Sequence, residues 1–441
     1  MNKKMKRFGL DQLIEWKKSE NRKPLIIRGA RQVGKTWLIK EFGNTFYDQM
    51  VYINFEKNKR IRSVFSEGFE IERIIVSLQA ESGIKINQEN TLIVFDEIQT
   101  VPEAITSLKY FQEDAPGYHI IAAGSLLGIM LNVQASFPVG KVEFMDLYPL
   151  SFPEFLEGVG DSGFAEMLKK GDWELITVFK QKYIERLRQY YFVGGMPEAV
   201  SEFSKSGDFT AVKKIHEAIL EAYQQDFSRH APVEIVPRIR MLWNSLPAQL
   251  ARENRKFIYG IIKEGARAKE YEIALSWLID CGLLTKVVRV AKPAIPLRAY
   301  EDTGAFKLFP VDIGLLGSLC DLEAKTLLEG NKVFSEFKGA LTELYVLQQL
   351  TTLGKKIHYW SGERSTAEID FIFQHENWII PVEVKAEENI QAKSLKVFHK
   401  KFDPKISVRL SMSDYREQDW LINVPLYAVN HLLDILSKQS T

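Results

Sequence analysis

Apolar residues follow two rhythms along this chain, and the rhythm changes near residue 150. Before that point, short runs that are apolar without alternation predict strands at Leu25–Ile27, Met50–Phe55, Thr91–Phe95, Tyr118–Ala123 and Lys141–Leu147. Such runs suit strands covered on both faces. Between them lie segments with helical spacing: Phe8–Lys18 (Leu10, Leu13, Ile14), Trp37–Phe42, Phe69–Ala80 (Ile71, Ile74, Ile75, Leu78) and Pro102–Gln112. Strand and helix in alternation predict a parallel sheet. From 150 to about 230 the spacing is helical only. Ser151 is placed as an N-cap with Pro153 in the first turn, Trp173–Tyr191 reads as one long helix, and Gly194-Gly195-Met196-Pro197 stops it. A further helix is predicted over Lys213–Phe227.

Three helices follow at Arg238–Arg252, Phe257–Glu264 and Ala268–Asp280, then strands at Gly282–Val290 and Phe306–Phe309. The last stretch opens with a helix over Glu336–Leu350. Next comes an alternating strand, Glu368–Phe373, then a strand at Trp378–Lys385, a helix at Ala392–Phe402, strands at Ile406–Leu410 and Val424–Val429, and a terminal helix.

Composition narrows the picture little. The 441 residues are 46% hydrophobic and 26% charged, with a formal net charge of +1. That is globular, long enough for several domains, and gives no global field for nucleic acid. Two cysteines, Cys281 and Cys320, exclude a disulfide framework and a four-cysteine zinc site, and fit a cytoplasmic location. The basic start, Met1–Arg7, lacks the apolar core of a secretory signal. The uncharged stretch Ala115–Gly140 is interrupted by His119, Asn132, Gln134 and Pro138, so it reads as a buried strand and loop; no membrane partner is expected.

The chemistry starts at Gly29-Ala30-Arg31-Gln32-Val33-Gly34-Lys35-Thr36, a G-x-x-x-x-G-K-T phosphate-binding loop between a strand and a helix. Its amides cradle phosphate, Lys35 reaches the β- and γ-phosphates, and Thr36 ligates Mg²⁺. Leu92–Phe95 run into Asp96 and Glu97, a Walker B pattern. Asp96 is expected to hold Mg²⁺ with Thr36, and Glu97 to polarise the attacking water. Ser125, at the tip of the next strand, resembles a γ-phosphate sensor. The cofactors expected are ATP and Mg²⁺.

Taken in order, G-A-R-Q-V-G-K-T, F-D-E-I-Q, A-G-S-L-L, L-Y-P-L-S-F-P-E-F and V-G-G-M-P-E-A-V resemble a widespread bacterial and archaeal group of AAA-type ATPases with a long C-terminal domain of unknown function. The resemblance implies an additional-strand ATPase core, a lid at Gly194–Pro197 near adenine, and a homo-oligomer as an open possibility. Where many members have G-R, this chain has Gly140-Lys141, so the trans-acting arginine stays unassigned among Arg186, Arg188 and Arg229.

Two further patterns concern DNA, the other expected partner. Three helices and two strands over 231–320 resemble a winged helix, with Arg267 and Lys269 at the start of its third helix. Beyond it, Glu343, then Asp370, then Glu383-Val384-Lys385 resemble the PD-(D/E)xK nuclease core. Period two places Glu383 and Lys385 on one sheet face, beside Asp370. Asp370 and Glu383 would hold Mg²⁺ with Glu343 in support, and Lys385 would activate water. Lys393, Lys396, His399, Lys400, Lys401 and Lys405 form a basic patch nearby. The expected protein is α/β and multidomain. It has a P-loop ATPase core with a parallel sheet (1–150), a helical lid (151–230), a winged-helix-like middle (231–320) and a C-terminal restriction-endonuclease-like α/β domain (321–441).

Overall fold

The structure is a computed structural model and describes residues 6–124, 137–252, 255–329, 335–362, 367–388 and 392–439. It divides into two compact units. One comprises Arg7–Tyr148 with Asp280–Leu283; the other comprises Pro149–Ile279 and Leu284–Thr441.

In the first unit the apolar runs form one five-stranded sheet: β1 (Leu25–Arg28), β2 (Gln49–Asn54), β3 (Thr91–Asp96), β4 (His119–Ala123) and β5 (Glu143–Asp146). The order is β2-β3-β4-β1-β5, and every pairing is parallel. β4 therefore lies between the strand that feeds the phosphate loop and the strand that ends in Asp96. All the side chains of β3 and β4 are buried, as continuous apolar runs require. One core packs Val51, Ile53, Ile93 and Phe95 beneath helix residues Ile74, Leu78, Leu108 and Phe111. Sheet order thus brings the carboxyl ends of β1 and β3 to one edge, where open α/β sheets bind ligands.

The second unit begins with helices. Ser151 and Glu154 form a reciprocal capping box on the helix Phe152–Gly158, with Pro153 in its first turn. The single helix expected over Trp173–Tyr191 is two, Trp173–Val178 and Lys180–Val193. Phe179 interrupts them and packs its ring edge-on against Phe164. Of the helix expected at Phe257–Glu264, one turn is formed, Tyr259–Ile262.

The rest of the unit is organised by a second sheet. Its described strands are β6 (Leu284–Val290), β7 (Glu301–Pro310), β8 (His358–Ser361), β9 (Glu368–His375), β10 (Trp378–Val384), β11 (Ser407–Ser411), β12 (Arg416–Gln418) and β13 (Leu421–Pro425). The order is β12-β13-β11-β10-β9-β8-β6-β7. β6 and β7 form an antiparallel pair, β9 and β10 a hairpin, and β10, β11 and β13 run parallel. β6 also pairs in parallel with β8 through Val288–His358 and Arg289–Tyr359. The hairpin of the middle segment is thus the edge of the same sheet that carries Asp370 and Glu383, and residue 320 falls between two of its strands. β8 is short and was not legible as a strand; its period is broken by a bulge against β9.

A buried polar hub ties the helices to this sheet. The Gly195 amide and the Gln348 amide nitrogen donate to Asp312 Oδ2 at 2.7 and 3.0 Å, and the Leu315 amide donates to Oδ1 at 3.1 Å. The two glycines expected to stop a helix do so, and they also create the close approach. A Cβ on Gly195 would lie 2.2 Å from the Leu150 carbonyl oxygen. Gly195→Ala is expected to destabilise this unit by about 2–3 kcal/mol through overpacking. The expected readout is a lowered thermal midpoint, and an unchanged midpoint refutes the packing account.

Candidate nucleotide site

The phosphate loop owes its shape to backbone that few side chains tolerate. Gly29 has φ 145° and Gly34 φ 94°; Gln32 takes φ 68° between them. A Cβ on Gly29 would sit 2.2 Å from the Leu147 carbonyl oxygen. Arg7, from the basic N-terminal stretch, is buried beside the loop. Its Nη1 donates to the Val33 carbonyl at 2.8 Å and its Nη2 to that of Tyr148 at 2.7 Å. The helix Lys35–Phe46 starts at the loop and turns its unpaired N-terminal amides toward it.

Lys35 is buried, and its Nζ donates to the carbonyls of Gly29 and Ala30 at 2.8 Å each. Burial lowers its pKa to about 8, against the pull of Glu97 and Asp96. Thr36 Oγ1 donates to Asp96 Oδ2 at 3.2 Å. Glu97 sits in the left-handed region, φ 52°, a strained placement that a short turn holds: the Thr100 hydroxyl donates to its carbonyl at 2.9 Å. Gln99 Nε2 donates to Glu97 Oε2 at 2.6 Å. Burial raises the Glu97 carboxyl above its ordinary value and Asp96 adds to that, while Gln99 and Lys35 oppose it.

Lys35, Thr36, Asp96 and Glu97 are thus brought together. Two partners were not foreseen. The Tyr52 phenol donates to Asp96 Oδ2, and Gln99 orients Glu97. Tyr52 alternates with buried Val51 and Ile53, so a polar-tipped residue on the second face of β2 was the available signal. Ser125 lies outside the described residues. The hard oxygen donors Thr36 and Asp96, beside a buried amine held by loop carbonyls, fit Mg²⁺ and a triphosphate.

At the other proposed site the side-chain contacts fall into two groups. Glu343 and Asp370 lie side by side and share a hydrogen bond, together with Lys307 and Arg255. Glu383 instead pairs with Lys385 at 2.9 Å, and its strand register faces Arg409. Among the described residues no three His, Cys, Asp or Glu side chains are grouped to hold a metal ion. The strands that carry Asp370 and Glu383 are neighbours: Val382 is in register with Phe371, and the Val384 amide donates to Asp370 Oδ2 at 2.7 Å. The register of β9 shifts against β8 by a bulge opposite Tyr359, while its pairing with β10 is regular.

Comparisons with known proteins fit this division. Residues 21–156 match the AAA domain family. Residues 184–326 and 338–428 match two domain families of unknown function. An uncharacterized protein of Methanocaldococcus jannaschii is 27% identical over 243 residues, 54% of this chain and 50% of the relative, so the match spans about half that relative's length. Among solved structures, the Walker-type ATPase of Pyrococcus abyssi aligns over 72% of this chain and 96% of its own, with 17% identity and a TM-score of 0.43. The Aeropyrum pernix Orc1 protein in complex with DNA aligns over 71% and 91%, with 12% identity and a TM-score of 0.25. The match over residues 21–156 supports an AAA-type P-loop ATPase domain, a class whose chemistry is ATP binding and hydrolysis. No helix among the described residues is long and apolar enough to cross a membrane.

The lowered Lys35 pKa has a measurable consequence. Near pH 8.5 the free amine is largely neutral, and pairing with triphosphate restores its proton. ATP binding at that pH is expected to take up protons, and affinity is expected to fall as pH rises from about 7 to about 9. Calorimetry in buffers of different ionisation enthalpy reads the uptake, and Lys35→Gln removes it.

Proposed function

We propose that this chain hydrolyses ATP, and that its nucleotide state governs a C-terminal unit that engages DNA without cutting it. The observation that carries the ATPase part is the juxtaposition of Lys35, Thr36 and Asp96 with a half-buried, strained Glu97. Thr36 and Asp96 would hold Mg²⁺, which would neutralise phosphate charge. Lys35 would bind the β- and γ-phosphates. Glu97, made more basic by burial and aimed by Gln99, would orient the attacking water. Tyr52 would fix the Asp96 carboxylate.

Lys35→Ala is expected to abolish nucleotide binding and turnover together. Glu97→Gln is expected to retain binding while kcat falls about a hundredfold or more. Turnover and binding measured on the same preparations separate the two. Full turnover in Lys35→Ala defeats the assignment.

The DNA part is supported by a cleft of about 480 Å³ lined by Lys396, Arg409, Tyr415, Arg416 and Trp420. Lys396 and Arg416 are exposed. Cations interleaved with aromatic rings suit a phosphate backbone and its bases. Each of Lys396→Ala and Arg416→Ala is expected to weaken duplex and single-strand binding at low salt. Each should also reduce the salt slope by about one. Binding unchanged in both variants argues against this face.

The second reading is an ATP-dependent endonuclease using Asp370, Glu383 and Lys385 with Glu343. Its support is the element order: a helix carrying Glu343, three strands, a helix and a parallel strand. DNA cut with Mg²⁺ or Mn²⁺ by wild type, and left intact by Asp370→Ala, would favour it.

A further inference from the structure

Lys307 lies on β7, in register with Val287, and is fully buried. It sits in the midst of acids. Its Nζ is 2.5 Å from Glu368 Oε1 and 3.5 Å from Glu343 Oε2, and 5.1 Å from the centre of the Tyr359 ring. Arg255 pairs with the other oxygen of Glu343. Gly339 leaves room for that guanidinium, since a Cβ there would lie 2.8 Å from Arg255 Nη2. Glu343 is itself buried, and its Oε2 has no hydrogen-bond partner among the described residues. Asp370 closes the group: the Val384 amide donates to its Oδ2 at 2.7 Å.

Two basic side chains already lie among these acids. Burial, then Glu343, pushes the Asp370 carboxyl well above its ordinary range, and the two carboxyl groups share a hydrogen bond. Burial would raise Glu343 too, but Lys307 and then Arg255 hold it below its ordinary value. Burial works against the charge on Lys307, yet Glu343, Glu368 and Asp370 outweigh it and the amine stays charged. Glu343 and Glu368 thus face Lys307, and Glu343 also faces Arg255. A dication added to this group would meet an ammonium already seated between its ligands.

We propose that the Lys307 ammonium occupies the position of a divalent cation in the C-terminal unit, so that Glu343, Glu368 and Asp370 form a Mg²⁺- or Mn²⁺-binding site only when that ammonium is removed. The oxygens now lie at ammonium distances. A hard dication needs oxygens at about 2.0–2.2 Å, which the vacated space and the carboxyl oxygens now facing Lys307 would supply. The inference goes beyond the ATPase reading and does not depend on DNA binding. It agrees with the proposal above that a unit of this element order engages DNA without cutting it.

The test is a Mn²⁺ titration of the full chain at neutral pH, followed by electron paramagnetic resonance. Wild type is expected to show no Mn²⁺ site that Asp370→Asn removes. Lys307→Ala is expected to bind Mn²⁺ about tenfold or more tightly than wild type, and Lys307→Ala with Asp370→Asn to lose the gain. Retained ATP turnover and circular dichroism confirm that the variants are folded. Lys307→Gln, which keeps a hydrogen-bonding group in the buried space, replaces the alanine variant if that one does not fold. An Asp370-dependent Mn²⁺ site in wild type overturns the proposal without recourse to any Lys307 variant. A folded Lys307 variant that gains no Mn²⁺ affinity overturns it as well.

Discussion

A buried ammonium costs several kcal/mol unless matching charge or hydrogen-bond acceptors surround it, and two lysines are buried among the described residues. Lys35 and Lys307 are each enclosed beside carboxylates, with opposite results. Lys35 touches two loop carbonyls, and its acids, Asp96 and Glu97, do not offset burial; its pKa falls to about 8. Lys307 is ion-paired directly with two carboxylates and is held charged. The first lysine is an amine whose charge is completed by an incoming anion. The second has its counter-charge built in. One physical constraint thus separates a site prepared for a ligand from one that is already satisfied.

The sheets explain how such arrangements arise. In the first unit, parallel order places β4 between β1 and β3, so that Thr36 and Asp96, about sixty residues apart, come within 3.2 Å. In the second, the pairing of β6 with β8 extends the sheet so that β7 delivers Lys307 to acids on a later helix and strand. A pair of strands that resembles a wing in isolation is therefore also a structural edge. That edge supplies the cation that the acid cluster needs.

Strain and close approach mark where the fold cannot be relaxed. Glu97 and Gln32 hold positive φ beside the phosphate loop. Gly29 and Gly195 each let a carbonyl oxygen come nearer than a Cβ would allow. The first glycine shapes a loop for phosphate. The second, with Gly194, makes room for Asp312, a structural hub whose oxygens are satisfied by the Gly195 and Leu315 amides and Gln348.

The motif at Gly29–Thr36, the Walker B acids, the continuous apolar strands and the cap at Ser151 were legible because their causes are local. Glycine conformation, loop-to-helix geometry and burial on two faces act within a few residues of sequence. The bulge of β9 against β8 was not legible, because one extra residue in a strand leaves no compositional mark. Nor were Arg7 beneath the loop, Tyr52 on Asp96, or Lys307 among Glu343, Glu368 and Asp370. Each of those contacts joins positions far apart in the chain. Sequence by itself determined what chemistry the residues offer; only the tertiary structure decided which charges meet, because burial and pairing are properties of the packed chain.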